Sequence, residues 1–175
     1  MPIKKLIRTI PDYPKPGIMF RDITTLIKDR NGLKLIVNEF RDRYAGLKID
    51  KVAGIESRGF IIGSPLAYEL GVGFIPIRKK GKLPAKTIGC DYELEYGTDR
   101  IEIHEDAISA GERILLVDDL IATGGTAEAA ITLIKKCGGN IVECSFVVEL
   151  PELGGKKRLE KMGASIFSLT VFDGH

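Results

Sequence analysis

Apolar residues along the chain follow two alternating rhythms. From Leu33 to Tyr44, the apolar positions Leu33, Ile36, Val37, Phe40 and Tyr44 recur at helical spacing, while Asn38, Glu39 and Asp42 hold the other side, which predicts a surface helix. KVAGI, VGFIPI and ILLV (Ile114 to Val117) are short unbroken apolar runs, the pattern of strands buried on both faces. GFIIGSPLAYEL and GGTAEAAITLIKKCGG predict helices, the second closed by Gly138, and IVECSFVVEL predicts a further strand. An amphipathic stretch from Ile3 to Ile10 predicts a first helix, and the prolines of PDYPKPG keep an extended arm after it. Strands alternating with helices imply βαβ units, so the expected fold class is α/β, a twisted and mostly parallel sheet flanked by helices. No internal repeat or low-complexity tract interrupts the pattern.

One segment breaks the rhythm. From Lys79 to Arg100 the chain is polar, rich in Gly and Lys, and long for a connection in a compact domain. Segments of this kind are binding loops, lids or disorder, although a short hairpin through YELEYGTDRIEI would absorb part of it. The two readings are compatible, since a mobile hairpin can act as a lid.

The length of 175 residues favours one domain spanning 1–175. A chain of this size buries enough surface to need no disulfide or metal for its core. With Lys and Arg at 26 against 24 Asp and Glu, the net charge of +2 gives no global field that would single out nucleic acid as a partner. Three cysteines without a CxxC pair fit reduced thiols in a cytoplasmic protein better than a disulfide framework or a zinc site. The opening MPIKKLIRTI is too polar for a signal peptide, and no apolar run approaches the roughly 20 residues that span a bilayer. A soluble, cytoplasmic protein without membrane contact is expected.

In open parallel sheets, ligands bind beyond the carboxyl ends of the strands. After ILLV come Asp118 and Asp119, then Ala122, Thr123, Gly124, Gly125 and Thr126 opening a helix. Small residues at a helix amino end let several backbone N–H groups converge, and the two threonine hydroxyls add donors, an arrangement suited to a phosphate dianion. The two carboxylates would repel phosphate, but they accept hydrogen bonds from vicinal sugar hydroxyls or bind water on a magnesium ion. No GxxxxGK[ST] loop occurs, and no GxGxxG opens a helix, so neither of the common nucleotide-binding loops is available. A sugar phosphate is the implied ligand. After KVAGI, Ser57, Arg58 and Gly59 stand between a strand end and a helix start, where an anion is welcome and Arg58 offers forked donors. An isolated Arg is more often part of a surface ion pair.

VDDLIATGGTA resembles the signature by which type I phosphoribosyltransferases bind phosphoribosyl pyrophosphate. IPDYPKPGIMFRDIT, GIESRGF, RKKGKLPAKT, YELEYG and VVEL are similar to segments of the adenine-using members of that family, so the resemblance spans nearly the whole chain. It implies transfer of the phosphoribosyl group to adenine, giving AMP and pyrophosphate with inversion at the anomeric carbon. It further implies that magnesium is carried by the pyrophosphate substrate and that the assembly is a homodimer, and no metal site of the chain's own is expected.

The resemblance also implies roles. Asp118 and Asp119 hold the ribose, Ala122 to Thr126 the 5′-phosphate, and Ser57, Arg58, Gly59, Arg78 and Lys79 the pyrophosphate. Residues 1–30 form a hood in which Phe20 packs on the purine while the backbone around Met19 and Arg21 reads its edge, although core packing would explain Phe20 equally well. Residues 79–100 form a flexible catalytic loop whose Glu95 relays the proton that adenine loses, with Arg58 also counted as catalytic. Enzymes for 6-oxopurines carry a Lys in the strand after the signature, where this chain reads CSFVVELPEL with Glu149, which favours adenine. The rivals are a transferase for hypoxanthine, guanine or xanthine, and a nucleic-acid-binding regulator that senses the same sugar phosphate. The regulator would need a reader for which the chain has no spare length. Lys80, Lys82 and Lys86, and Lys156, Lys157 and Arg158, are expected on solvated faces. His104 and His175 have no expected role.

Overall fold

The computed structural model describes residues 2–94 and 96–174. Its centre is a seven-stranded sheet in the order β5-β6-β4-β3-β7-β8-β9. The parallel part comprises β3 (Lys51–Ile55), β4 (Gly73–Lys79), β7 (Arg113–Ile121), β8 (Asn140–Glu149) and β9 (Ile166–Val171). The central strands β3 and β7 are apolar on both faces along KVAGI and ILLV because helices cover both. Along β7 the side chains alternate as the pleat requires. Ile114 and Leu116 join Ile75, Ile77, Ile101, Ile103 and Phe146 against α5 (Gly125–Lys136). Leu115 and Val117 join Val52, Val147 and Leu169 against α3 (Arg30–Tyr44) and α4 (Arg58–Leu70).

Helix α3 starts three residues before the apolar period, because the Asp29 carboxylate caps it, accepting from the N–H groups of Asn31 and Gly32 at 2.9 and 2.8 Å. Ile36, Val37, Phe40 and Tyr44 are buried, as the spacing predicts, while Leu33 is half-buried and Gly32 is buried as well.

The amino end differs from expectation. Helix α1 (Pro2–Leu6) stops early, and Arg8–Pro11 is a strand, β1, paired antiparallel with β2 (Met19–Asp22) so that Ile10 faces Phe20. Ile3 and Ile7 anchor the turn between them in the core, and the Arg8 N–H donates to Thr25 Oγ1 at 3.1 Å instead of continuing the helix. The resulting two-stranded ribbon leads into the short helix α2 (Thr24–Ile27).

The segment with the broken rhythm is largely sheet. β5 (Thr87–Glu93) and β6 (Thr98–His104) form a hairpin longer than its sequence pattern suggests, and β6 pairs antiparallel with β4 through Arg78 with Glu102 and Lys79 with Ile101. The sheet absorbs it because Tyr92, Ile101 and Ile103 are buried against the α5 side of the core. The strand β7 also runs four residues past ILLV, since Leu120 and Ile121 go on pairing with Val148 and Glu149, so Asp118 and Asp119 belong to the strand and not to the turn after it.

Candidate active site

A cavity of about 510 Å³ opens at the carboxyl end of the sheet, between the amino-terminal ribbon and the loop from β7 to α5. Three walls meet there. The ribbon contributes Ile10, Tyr13, Phe20, Arg21 and Asp22, the strand end contributes Asp118 and Asp119, and the floor runs from Ala122 through Thr126. Phe20 packs edge-on against Tyr13, with ring centroids 5.2 Å apart, so part of its surface belongs to an aromatic pair in the cavity wall and not to the main core. Arg21 also lines the cavity. Its Nη1 donates to Thr9 Oγ1 at 2.7 Å and its Nη2 to the Asp173 carbonyl at 3.3 Å, which ties the ribbon to the end of the chain.

At the floor, Gly124 takes a left-handed backbone with φ of 87°, which turns the chain sharply into α5. No side chain caps this helix start, so its first N–H groups, which lack partners within the helix, are open to a ligand.

The acids differ in surroundings. Arg58 Nε lies 2.5 Å from Asp119 Oδ2, which draws this guanidinium to one member of the pair. Asp118 Oδ1 accepts the Asp119 N–H at 2.8 Å. Burial first, and the Asp119 charge second, push the Asp118 carboxyl well above the usual carboxylate range, against the pull of Arg58. Gly59 lies beneath this group, where an added Cβ would come within 3.0 Å of the Val117 carbonyl and 3.2 Å of Asp118 Oδ1. The glycine lets the start of α4 approach the acid pair. A third acid, Asp22, accepts from the Thr24 hydroxyl at 2.6 Å and from Arg8, and with Thr24 as the main cause its carboxyl lies at about 2.

The residues expected around the ligand therefore divide. Phe20, Arg21, Arg58, Asp118, Asp119 and Ala122 to Thr126 share one cavity, whereas Met19, Ser57 and Gly59 do not line it. Arg78 and Lys79, expected around the pyrophosphate, do not line it either. The Glu56 carboxylate accepts from Arg78 Nε at 3.3 Å and from the Lys79 N–H at 2.6 Å, and Lys79 Nζ donates to Tyr92 at 2.7 Å and pairs with Asp99. Both cations are turned toward nearer acids. Glu95 lies outside the described residues, as does His175. Ile10, Tyr13, Asp22, Ile23 and Thr24 also line the cavity, and sequence reasoning missed them. The nearest signal was the PDYPKPG arm itself, whose prolines keep Tyr13 out of a helix. Among the described residues, no group of three or more His, Cys, Asp or Glu is arranged to hold a metal ion.

A family model described as the phosphoribosyl transferase domain matches residues 25–169. The chain belongs to the phosphoribosyl transferase family. Relatives within this family include the adenine phosphoribosyltransferase of Nitrosospira multiformis, 67% identical with both chains fully covered, and that of Methylobacillus flagellatus, 65% identical over 99% of this chain and 98% of the relative. The crystal structure of adenine phosphoribosyltransferase from Thermoanaerobacter pseudethanolicus superposes with a TM-score of 0.93 at 49% identity, covering 98% of each chain. That of the Saccharomyces cerevisiae enzyme, complexed with an imino-altritol bisphosphate and adenine, has a TM-score of 0.90 at 39% identity, covering 97% of each chain. The parallel sheet with its antiparallel hairpin is the type I fold of the family.

Proposed function

We propose that this chain transfers the 5-phosphoribosyl group from phosphoribosyl pyrophosphate to adenine, releasing AMP and pyrophosphate. The observation that carries this reading is one cavity that joins an aromatic ribbon, an acid pair and an uncapped helix start, surfaces whose chemistry suits a base, a ribose and a phosphate. Full-length relatives named for this activity support it. Phe20 offers a face to the purine, and the backbone beside it, at Met19 and Arg21, supplies an acceptor for the exocyclic amine and a donor for the adjacent ring nitrogen. The Asp118 and Asp119 carboxylates accept from the ribose hydroxyls. Backbone N–H groups of residues 122–126 and the Thr123 and Thr126 hydroxyls hold the phosphate.

Arg58, at the cavity edge, exchanges Asp119 for the pyrophosphate as the substrate enters, with Ser57 and Gly59 beside it. Arg78 and Lys79 join that group only by leaving Glu56 and Asp99. Magnesium bound to the pyrophosphate would screen the charge of the leaving group, and the Asp118 and Asp119 pair would offer hard oxygens to its bound water. Glu95 receives the proton that adenine loses, a role that rests on its place in YELEYG. Residues 79–100 close over the site, excluding water from an oxocarbenium-like transition state, and residues 1–30 serve as the hood of one domain spanning 1–175.

Two coarser features complete the reading. Ile61, Pro65 and Tyr68 form a stripe along α4, with Ile61 and Tyr68 exposed at 43% and 84%, which supports a homodimer built on that face. No helix among the described residues is long and apolar enough to cross a membrane; the three free thiols support the cytoplasm as the compartment. The test is an assay of purified protein with magnesium, phosphoribosyl pyrophosphate and each of adenine, hypoxanthine, guanine and xanthine. Adenine is expected to react far faster than the others; equal rates with hypoxanthine would overturn the base assignment, and no reaction with any base the transferase one.

A further inference from the structure

The phosphate floor rests on a second segment of the chain. After β8, a 3-10 turn (Pro151–Leu153) leads into α6 (Gly155–Glu160), and the Gly155 N–H donates to the Ala122 carbonyl at 3.0 Å. The two backbones touch. A Cβ on Gly155 would lie 2.4 Å from the Ala122 carbonyl oxygen and 3.0 Å from the Gly124 nitrogen, and a Cβ on Gly124 would lie 3.0 Å from the Gly155 Cα. One turn along α6, Arg158 reaches back over the same loop. Its Nε donates to Glu128 Oε2 at 2.7 Å and its Nη2 to Glu128 Oε1 at 3.4 Å, while Nη1 stands 3.5 Å from the Thr123 carbonyl. The side chain is exposed, as the sequence predicts, and from there it forks across the loop and the first turn of α5.

We infer that Arg158 is a positioning residue for the 5′-phosphate, acting through the loop 122–126 and through Glu128; this rests on the cavity being a sugar-phosphate site. Two physical effects converge. The guanidinium draws the Thr123 carbonyl toward α6, which favours the loop orientation that leaves its N–H groups for the ligand. It also pairs with Glu128, the acid in the first turn of α5, whose charge would otherwise compete with a phosphate for the same positive helix end. Arg158 is 43% exposed in its side chain and lies outside the core, so its removal is expected to spare the fold.

The test is steady-state kinetics of the full chain with Arg158→Met, Arg158→Lys and Glu128→Gln, alongside thermal unfolding. Arg158→Met is expected to raise KM for phosphoribosyl pyrophosphate about tenfold, leaving kcat and the adenine KM within about twofold, because the base is held by the other wall. Arg158→Lys is expected to recover part of the loss, since it keeps the charge without the fork. Glu128→Gln is expected to stay within about threefold of the parent, because it removes the competing charge together with the partner. An unchanged KM for phosphoribosyl pyrophosphate in folded Arg158→Met overturns the inference. Equal increases in both KM values also overturn it, since they mark a general loosening. A parent protein inactive with every base removes the sugar-phosphate reading itself, and the inference falls with it, whereas an active parent with an unaffected Arg158→Met removes the inference alone.

Discussion

Asp118→Asn separates what the ligand needs from what the fold tolerates. Two consecutive carboxylates share one guanidinium, and Arg58 sits against Asp119 at 2.5 Å, leaving Asp118 with the backbone N–H of Asp119 at 2.8 Å. Burial and the Asp119 charge hold the Asp118 carboxyl well above its ordinary range. A carboxyl raised in the folded state binds its proton more tightly there than in the unfolded chain. Its effect on stability is therefore most favourable at low pH, and is lost as pH rises from about 3.9 through the folded-state value. Asparagine keeps the shape and one acceptor oxygen, but puts an NH2 donor in place of the other and cannot ionise, so the charge-assisted bond to the ribose is lost. The variant is expected to melt close to the parent at about pH 4 and progressively above it as pH rises toward about 8. Binding should move the other way. A hydrogen bond from a ribose hydroxyl to a carboxylate is worth about 1.5–3 kcal/mol, so its loss weakens AMP about tenfold to a hundredfold at about 1.4 kcal/mol per decade. Thermal unfolding across that range and calorimetric titration of AMP at neutral pH measure both effects. A melting difference that is flat or reversed with pH would show that ionising Asp118 costs the fold nothing. Unchanged AMP affinity in a folded variant would take the acid pair away from the ribose.

Asp22→Asn should show the opposite slope: with its carboxyl held at about 2, chiefly by the Thr24 hydroxyl, it stabilises the fold above about pH 3.8 and loses that contribution as pH falls toward about 2. The variant is expected to lose about 1–2 kcal/mol at neutral pH and nothing near pH 2, read from urea midpoints, and a constant loss at all pH values would refute the linkage. Phe20→Ala should raise the adenine KM about tenfold while leaving that for phosphoribosyl pyrophosphate within twofold, as loss of an aromatic platform demands; equal effects on both would make Phe20 a packing residue. Tyr44→Phe removes the hydroxyl that donates to Glu143 Oε1 at 2.7 Å and meets Ser145 in the buried network below the sheet, and should cost about 1–3 kcal/mol in denaturant unfolding. AMP affinity should not change, and a change would show that this network reaches the cavity.

Local pattern was enough for most elements, because each reports which of its own faces is buried. The unbroken apolar run from Ile114 to Val117, the helical period from Leu33 to Tyr44 and the helix start after Ala122 to Thr126 read correctly since their meaning lies within a few residues of chain. The acid pair and the helix start after it were legible for the same reason. Where a residue's fate depends on a distant partner, the sequence by itself was silent. Thr9 and Ile10 fit a helical face as well as a strand until Arg21 and Phe20 pair with them. Nothing in the sequence says that Glu56 and Asp99 lie beside Arg78 and Lys79, or that the exposed Arg158 meets Glu128. Arg58 meets Asp119 from 61 positions away. Charge pairing acts through space over a few ångströms, and only the folded chain decides which charges come that close.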